Sequence, residues 1–127
     1  MNTAILQVVE QYRQAIHTQD EQAFRALWAS NDQGSLISVT RCFRGIEEIY
    51  RDFVIDGIQR SYLSIELIFD ELEVRQISDD LAIVIFAYHT ECVRRDTLEP
   101  YGIQGLETQV LIRERGQWKL QHIHYSK

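Results

Sequence analysis

The sequence predicts an α+β fold in which helices pack on one face of a curved antiparallel sheet. Two observations carry this. Apolar residues recur at three- and four-residue steps only in the first sixty positions. The second half is rich in Ile, Val, Phe and Tyr and is broken by turn residues at Ser78-Asp79-Asp80 and Arg115-Gly116. A run of helices followed by a run of strands belongs to the α+β class.

The elements follow in order. Ile5, Val8, Val9, Tyr12, Ala15 and Ile16 form one face of a first amphipathic helix. Asn2 or Thr3 can cap its start, and His17 stands near its carboxyl end, where a cation is mildly favoured. Asp20 is the expected N-cap of a short second helix with Ala23, Phe24, Leu27 and Trp28 inside. Asn31 to Gly34 is a turn, and Leu36, Ile37 and Val39 make a short strand. Gly45 precedes a third helix with Ile46, Ile49, Tyr50, Phe53 and Val54 on one side, and Gly57 is expected to end it.

Ser61 to Ile77 alternates loosely and reads as one long bent strand. Leu81 to Cys92 reads as a central strand buried on both faces. Arg95 to Gln104, which holds the single Pro, reads as a loop. Leu106 to Arg113 and Trp118 to Tyr125 form a closing hairpin. If the last strand is regular, Trp118, Leu120, His122 and His124 share one buried face. Tyr125 would then reach the interior only through a bulge or a late rotation of the strand.

Composition bounds the function. The 127 residues fit one domain, 1–127, with 45% hydrophobic and 25% charged residues. The net charge of −6 comes from 19 acidic and 13 scattered basic residues, which excludes a basic stripe for nucleic acid. The longest apolar run, Leu81 to Tyr88, is too short to span a bilayer as a helix. No charged-then-apolar leader opens the sequence. Cys42 and Cys92 have no zinc spacing and read as reduced thiols, so a cytoplasmic protein is expected.

The terminal stretch Gly116-Gln117-Trp118-Lys119-Leu120-Gln121-His122-Ile123-His124-Tyr125-Ser126 resembles the closing strand of the polyketide cyclase-like (SnoaL-like) branch of the nuclear transport factor 2-like superfamily. It is also similar to the association domain of calmodulin-dependent protein kinases. Asp20 with Phe24, Asp79-Asp80 before an apolar strand, and Thr108-Gln109-Val110 before the final hairpin agree with this. The resemblance implies a cone: a curved sheet wrapped around three N-terminal helices, with a small-molecule pocket at its mouth and a homodimer formed between sheets. It implies no single reaction, because this fold hosts isomerases, cyclases, dehydratases and non-catalytic modules.

The residues then divide by chemistry. His122 and His124, two apart on a strand, are candidate acid–base groups. As metal ligands they would need a third from His89, Glu91 or Glu107, and a pair alone predicts no metal site. Tyr125, Gln109 and Tyr88 fall at positions that carry pocket arginines in the kinase association domains, so the resemblance implies a less polar pocket here. Tyr12, Phe24, Trp28 and Phe53 are candidates to line it from the helical side. Glu107 sits mid-strand with the parity of Gln109, and sequence leaves open whether that face is the pocket or the outer side. Ser35 to Thr40 carries no carboxylate where ketosteroid isomerases place a base. No nucleophile elbow or phosphate loop is present.

Two readings result. One is a cofactor-free isomerase, cyclase or dehydratase acting by proton transfer, with His122, His124 and Tyr125 as catalytic candidates. The other is a non-catalytic ligand-binding or oligomeric assembly module. Small-molecule density bound in the cone between Tyr125 and Trp28 would favour a ligand site, and a sealed cone filled by side chains would favour assembly.

Overall fold

The computed structural model describes residues 2–127. Helix α1 spans Thr3–Thr18 and buries Ile5, Val8, Val9, Tyr12, Ala15 and Ile16, the face that its periodicity marks. Burying each of the larger side chains is worth roughly 1.5–3 kcal/mol, which fixes α1 against the sheet. Asn2 stands at its N-cap but makes no side-chain capping bond. Asp20 does cap α2 (Glu21–Ala26), accepting a hydrogen bond from the Ala23 amide at 3.0 Å.

Strands β1 (Ser35–Ser38) and β2 (Arg41–Arg44) form a tight hairpin. Val39 lies in its turn with φ of 43°, so it is not part of the expected strand. Gly45, with φ of 83°, starts α3 (Ile46–Glu48). That turn continues as a π-helix over Ile49–Gln59, so the helix runs through Gly57 rather than ending there. A wider π turn often marks a functional wall, and this one faces the interior of the sheet with Phe53 and Ile58.

Strand β3 (Tyr62–Ser78) pairs with β4 (Leu81–Arg94), and three register shifts bend it, including one at Asp70. The segment read as a loop carries a short strand, β5 (Pro100–Tyr101), paired to β4. Strands β6 (Gln104–Glu114) and β7 (Gln117–Tyr125) close the chain through Arg115 and Gly116. Both turn residues have positive φ, as a two-residue hairpin requires. The sheet order is β2-β1-β7-β6-β4-β3, with β5 added beside β4. All pairs are antiparallel except β1 with β7.

The sheet curls around α1 and the π-helix, both of which pack against β3. Its inner face meets them in a core that includes Leu36, Phe86, Leu111, Leu120 and Ile123. The last strand is not regular. The β6–β7 register steps from Val110 opposite His122 to Leu111 opposite Leu120, so Gln121 is an extra residue. This bulge inverts the alternation. Leu120 and Ile123 are both fully buried, and Tyr125 follows on the inner face. His122 and His124 are therefore not in the buried layer with Trp118 and Leu120. They lie on the outer face, His122 half-buried and His124 exposed.

Candidate functional site

A cavity of about 250 Å³ opens between α1, the π-helix and the inner face of the sheet. Its position follows from the bulge: one cross-strand row places Phe86, Glu107, Tyr125 and Ser38 side by side on β4, β6, β7 and β1. Tyr12 and Ile16 close it from α1, and Phe53 and Ile58 from the π-helix. Tyr88, Thr90 and Cys92 continue the wall along β4.

Two carboxylates line this space, Asp52 at its rim and Glu107, which is buried at 4% exposure. Its Oε2 accepts a hydrogen bond from Gln109 Nε2 at 2.8 Å. Burial disfavours its charged form and pushes its pKa up to about 8, against the weaker opposing effect of the Gln109 bond. Three phenols surround it. Tyr12, wholly buried, has its pKa raised by burial and then by the nearby Glu107 charge. Tyr88 is raised for the same two reasons and donates its hydroxyl to the Ser126 carbonyl at 2.9 Å. Tyr125 is raised by burial, and its hydroxyl lies 2.8 Å from Ser38 Oγ. Its ring packs against Phe53, with centroids 5.9 Å apart.

At the rim, Asp52 stays ionised. Arg51 and Arg41 hold its pKa down to about 2, so it is too weak a base to compete with Glu107. Cys92 lies in the wall with its thiol pKa raised by burial, which leaves it a poor nucleophile.

The sequence-derived candidates separate cleanly. Tyr12, Phe53, Tyr88 and Tyr125 line the cavity. Phe24 and Trp28 do not. They are buried core aromatics packed behind it at a tilt, the Phe24 ring centroid lying 6.0 Å from that of Tyr12 and 6.1 Å from that of Trp28. Gln109 does not line it either: it is fully buried and reaches the site only through Glu107. His122 and His124 lie outside because of the bulge. His122 Nδ1 sits 2.7 Å from Ser35 Oγ, and burial followed by the neighbouring His124 lowers its pKa.

Parity alone does not place Glu107, because alternation says which residues share a face and not which face is inside. Among the described residues no group of three His, Cys, Asp or Glu is arranged to hold a metal. His124 and Glu107, on opposite faces of the sheet, are not brought together.

A family model for the SnoaL-like domain matches residues 5–127. The chain belongs to the SnoaL-like family. No curated protein matches its sequence. Among solved structures, this SnoaL-like chain is similar to a nuclear transport factor 2-like superfamily protein from Salmonella enterica, with a TM-score of 0.92 at 23% identity, over 98% of this chain and 89% of that one. It is also similar to the hexachlorocyclohexane dehydrochlorinase LinA-type3 from Novosphingobium barchaimii, with a TM-score of 0.84 at 16% identity over 98% and 84%. A third is a candidate calcium/calmodulin-dependent protein kinase II association domain from Xanthomonas campestris, with a TM-score of 0.80 at 18% identity over 96% and 84%. At these identities the likeness establishes the shared fold. The cone implied by the terminal motif is thus the fold of this SnoaL-like chain.

Proposed function

We propose that the cavity binds a small, largely apolar molecule bearing one oxygen function, and that Glu107 exchanges a proton with it. The protein is then a cofactor-free isomerase, cyclase or dehydratase, the polyketide cyclase type included. The observation that carries this reading is a buried carboxyl facing a cavity lined mainly by apolar and phenolic side chains, a setting that raises its pKa.

Such a group can serve both directions of a proton transfer. Near neutral pH it is mostly the acid and can donate to a carbonyl or leaving oxygen. Its ionised fraction is a far stronger base than an ordinary carboxylate. When the ionised Glu107 takes a proton from the ligand, charge developing on a ligand oxygen would be met by the Tyr12 phenol, which lines the same cavity. The fold neighbour that removes hydrogen chloride from its substrate lends the proton-transfer class indirect support.

The outer sheet face supports a homodimer. Ile83 on β4 and Val110 on β6 stand in register beside His122, and Leu106 nearby is 60% exposed. No helix among the described residues covers this row, and two-fold pairing is the commonest way to bury it. The unpaired Cys42 and Cys92 favour a reducing compartment, and we assign the cytoplasm on that ground. No helix among the described residues is long and apolar enough to cross a membrane.

The test is exchange of the α-protons of cyclohexanone and β-tetralone in deuterated buffer, followed by proton NMR. Wild type should exchange at least one ketone faster than buffer, and Glu107→Gln should not. Exchange that survives in Glu107→Gln would overturn the assignment. Binding of β-naphthol without any ketone exchange would instead make the protein a ligand-binding module.

A further inference from the structure

Gln109 occupies a position that packing alone does not explain. It is fully buried, in a cross-strand row whose neighbours Leu36, Ile123 and Val84 are all apolar. Its Oε1 is buried with no hydrogen-bond partner among the described residues. A leucine would fill similar space without orphaning a carbonyl, and an orphaned buried acceptor costs stability. What the amide does provide is one bond, from Nε2 to Glu107 Oε2 at 2.8 Å.

We propose that Gln109 is a positioning residue that makes Glu107 deliver its proton through Oε1, into the cavity. This rests on the reading of Glu107 as the proton-transfer group. An N–H directed at Oε2 holds that oxygen as an acceptor, the role of the carbonyl end of a carboxylic acid. The hydroxyl then falls on Oε1, which has no hydrogen-bond partner among the described residues and is not sealed from the cavity. An amide turned end for end would accept the acid's proton at Oε2 and hide it from a ligand. The donor orientation also stabilises the carboxylate after the proton leaves, so the same bond serves both halves of a transfer cycle.

The register explains how the sheet builds this pair. Glu107 and Gln109 are two apart on β6, so their side chains stand on one face. Glu107 lies in the row that meets the cavity, and Gln109 lies one row deeper, opposite Ile123. The amide therefore approaches the carboxyl from the core side and leaves the cavity side free.

The test uses Gln109→Leu, with Gln109→Met as a second apolar variant should the first not fold. Three readouts are taken: melting temperature, the Glu107 midpoint from carboxyl-carbon NMR of glutamate-labelled protein, and ketone exchange. A purely structural glutamine predicts a lower melting temperature and an unchanged kcat. A positioning glutamine predicts melting at or above wild type, a higher Glu107 midpoint, and a kcat lowered about tenfold with KM unchanged.

An unmoved midpoint, or an unchanged kcat, would overturn the inference. If wild type itself exchanges no ketone, the catalytic reading fails separately. The midpoint and β-naphthol affinity then decide the inference. A raised midpoint with affinity weakened about threefold supports it, and an unchanged affinity overturns it.

Discussion

The Tyr125 hydroxyl and Ser38 Oγ lie 2.8 Å apart across the one parallel seam of the sheet, between β7 and β1. Both side chains line the cavity, so the bond ties the cavity wall to the sheet edge. Tyr125→Phe removes one hydroxyl and keeps the ring contact with Phe53. It should cost about 1 kcal/mol of stability or less. β-Naphthol affinity, measured by titration calorimetry, should fall several-fold, because a phenol that orients the ligand is lost. Unchanged affinity would remove Tyr125 from the binding site.

The raised pKa of Glu107 makes stability depend on pH in a definite direction. In the unfolded chain this carboxyl titrates at its ordinary value, and in the folded protein at about 8. Below the ordinary value both states are protonated and burial carries no ionisation cost. Between the two values the unfolded state releases a proton that the folded state keeps. Stability therefore falls as pH rises through this window, by about 1.4 kcal/mol per pH unit at most, and levels off above the folded value. Glu107→Gln lacks this loss. Urea denaturation should show the variant gaining on wild type between pH 5 and 8, and parallel curves would disprove the buried titration.

The two histidines of the last strand differ in what they hold. His124 is exposed and lacks a side-chain bond among the described residues, so His124→Ala should melt within about 0.5 kcal/mol of wild type. His122 shares a bond with Ser35 at 2.7 Å, and His122→Ala should cost about 1 kcal/mol. Neither should change β-naphthol binding. Weakened binding in either variant would mean that the outward direction of these side chains is wrong.

Light scattering at micromolar concentration should give a mass near twice the 15.0 kDa of one chain. Ile83→Asp, placed mid-row on the outer face, should return it to that of one chain without lowering helix content. A monomeric wild type would refute pairing through this face.

Much of this protein was legible in its residues because local chemistry decides local structure. The spacing of Ile5 to Ile16 specifies α1 and its inner face, since a helix repeats its faces every three to four residues. Asp20 caps α2 through one short-range bond, and Arg115-Gly116 forces the last hairpin. The terminal Gly-x-Trp strand carried the family. What failed was any inference that depends on register. Alternation groups Glu107 with Gln109 and His122 with His124, but it is silent on which group faces inward.

One inserted residue, Gln121, settled that question by turning Tyr125 in and both histidines out. A bulge is stabilised by how β7 fits β6 on one side and β1 on the other, contacts between residues far apart in the chain. The sequence by itself therefore determined α1, α2, the long strands and the family, but not β5 or the π-helix that runs through Gly57. Only the tertiary structure decided that Glu107 is the buried acid of the cavity, because its environment is made by Tyr12, Tyr88 and Tyr125 arriving from three other elements.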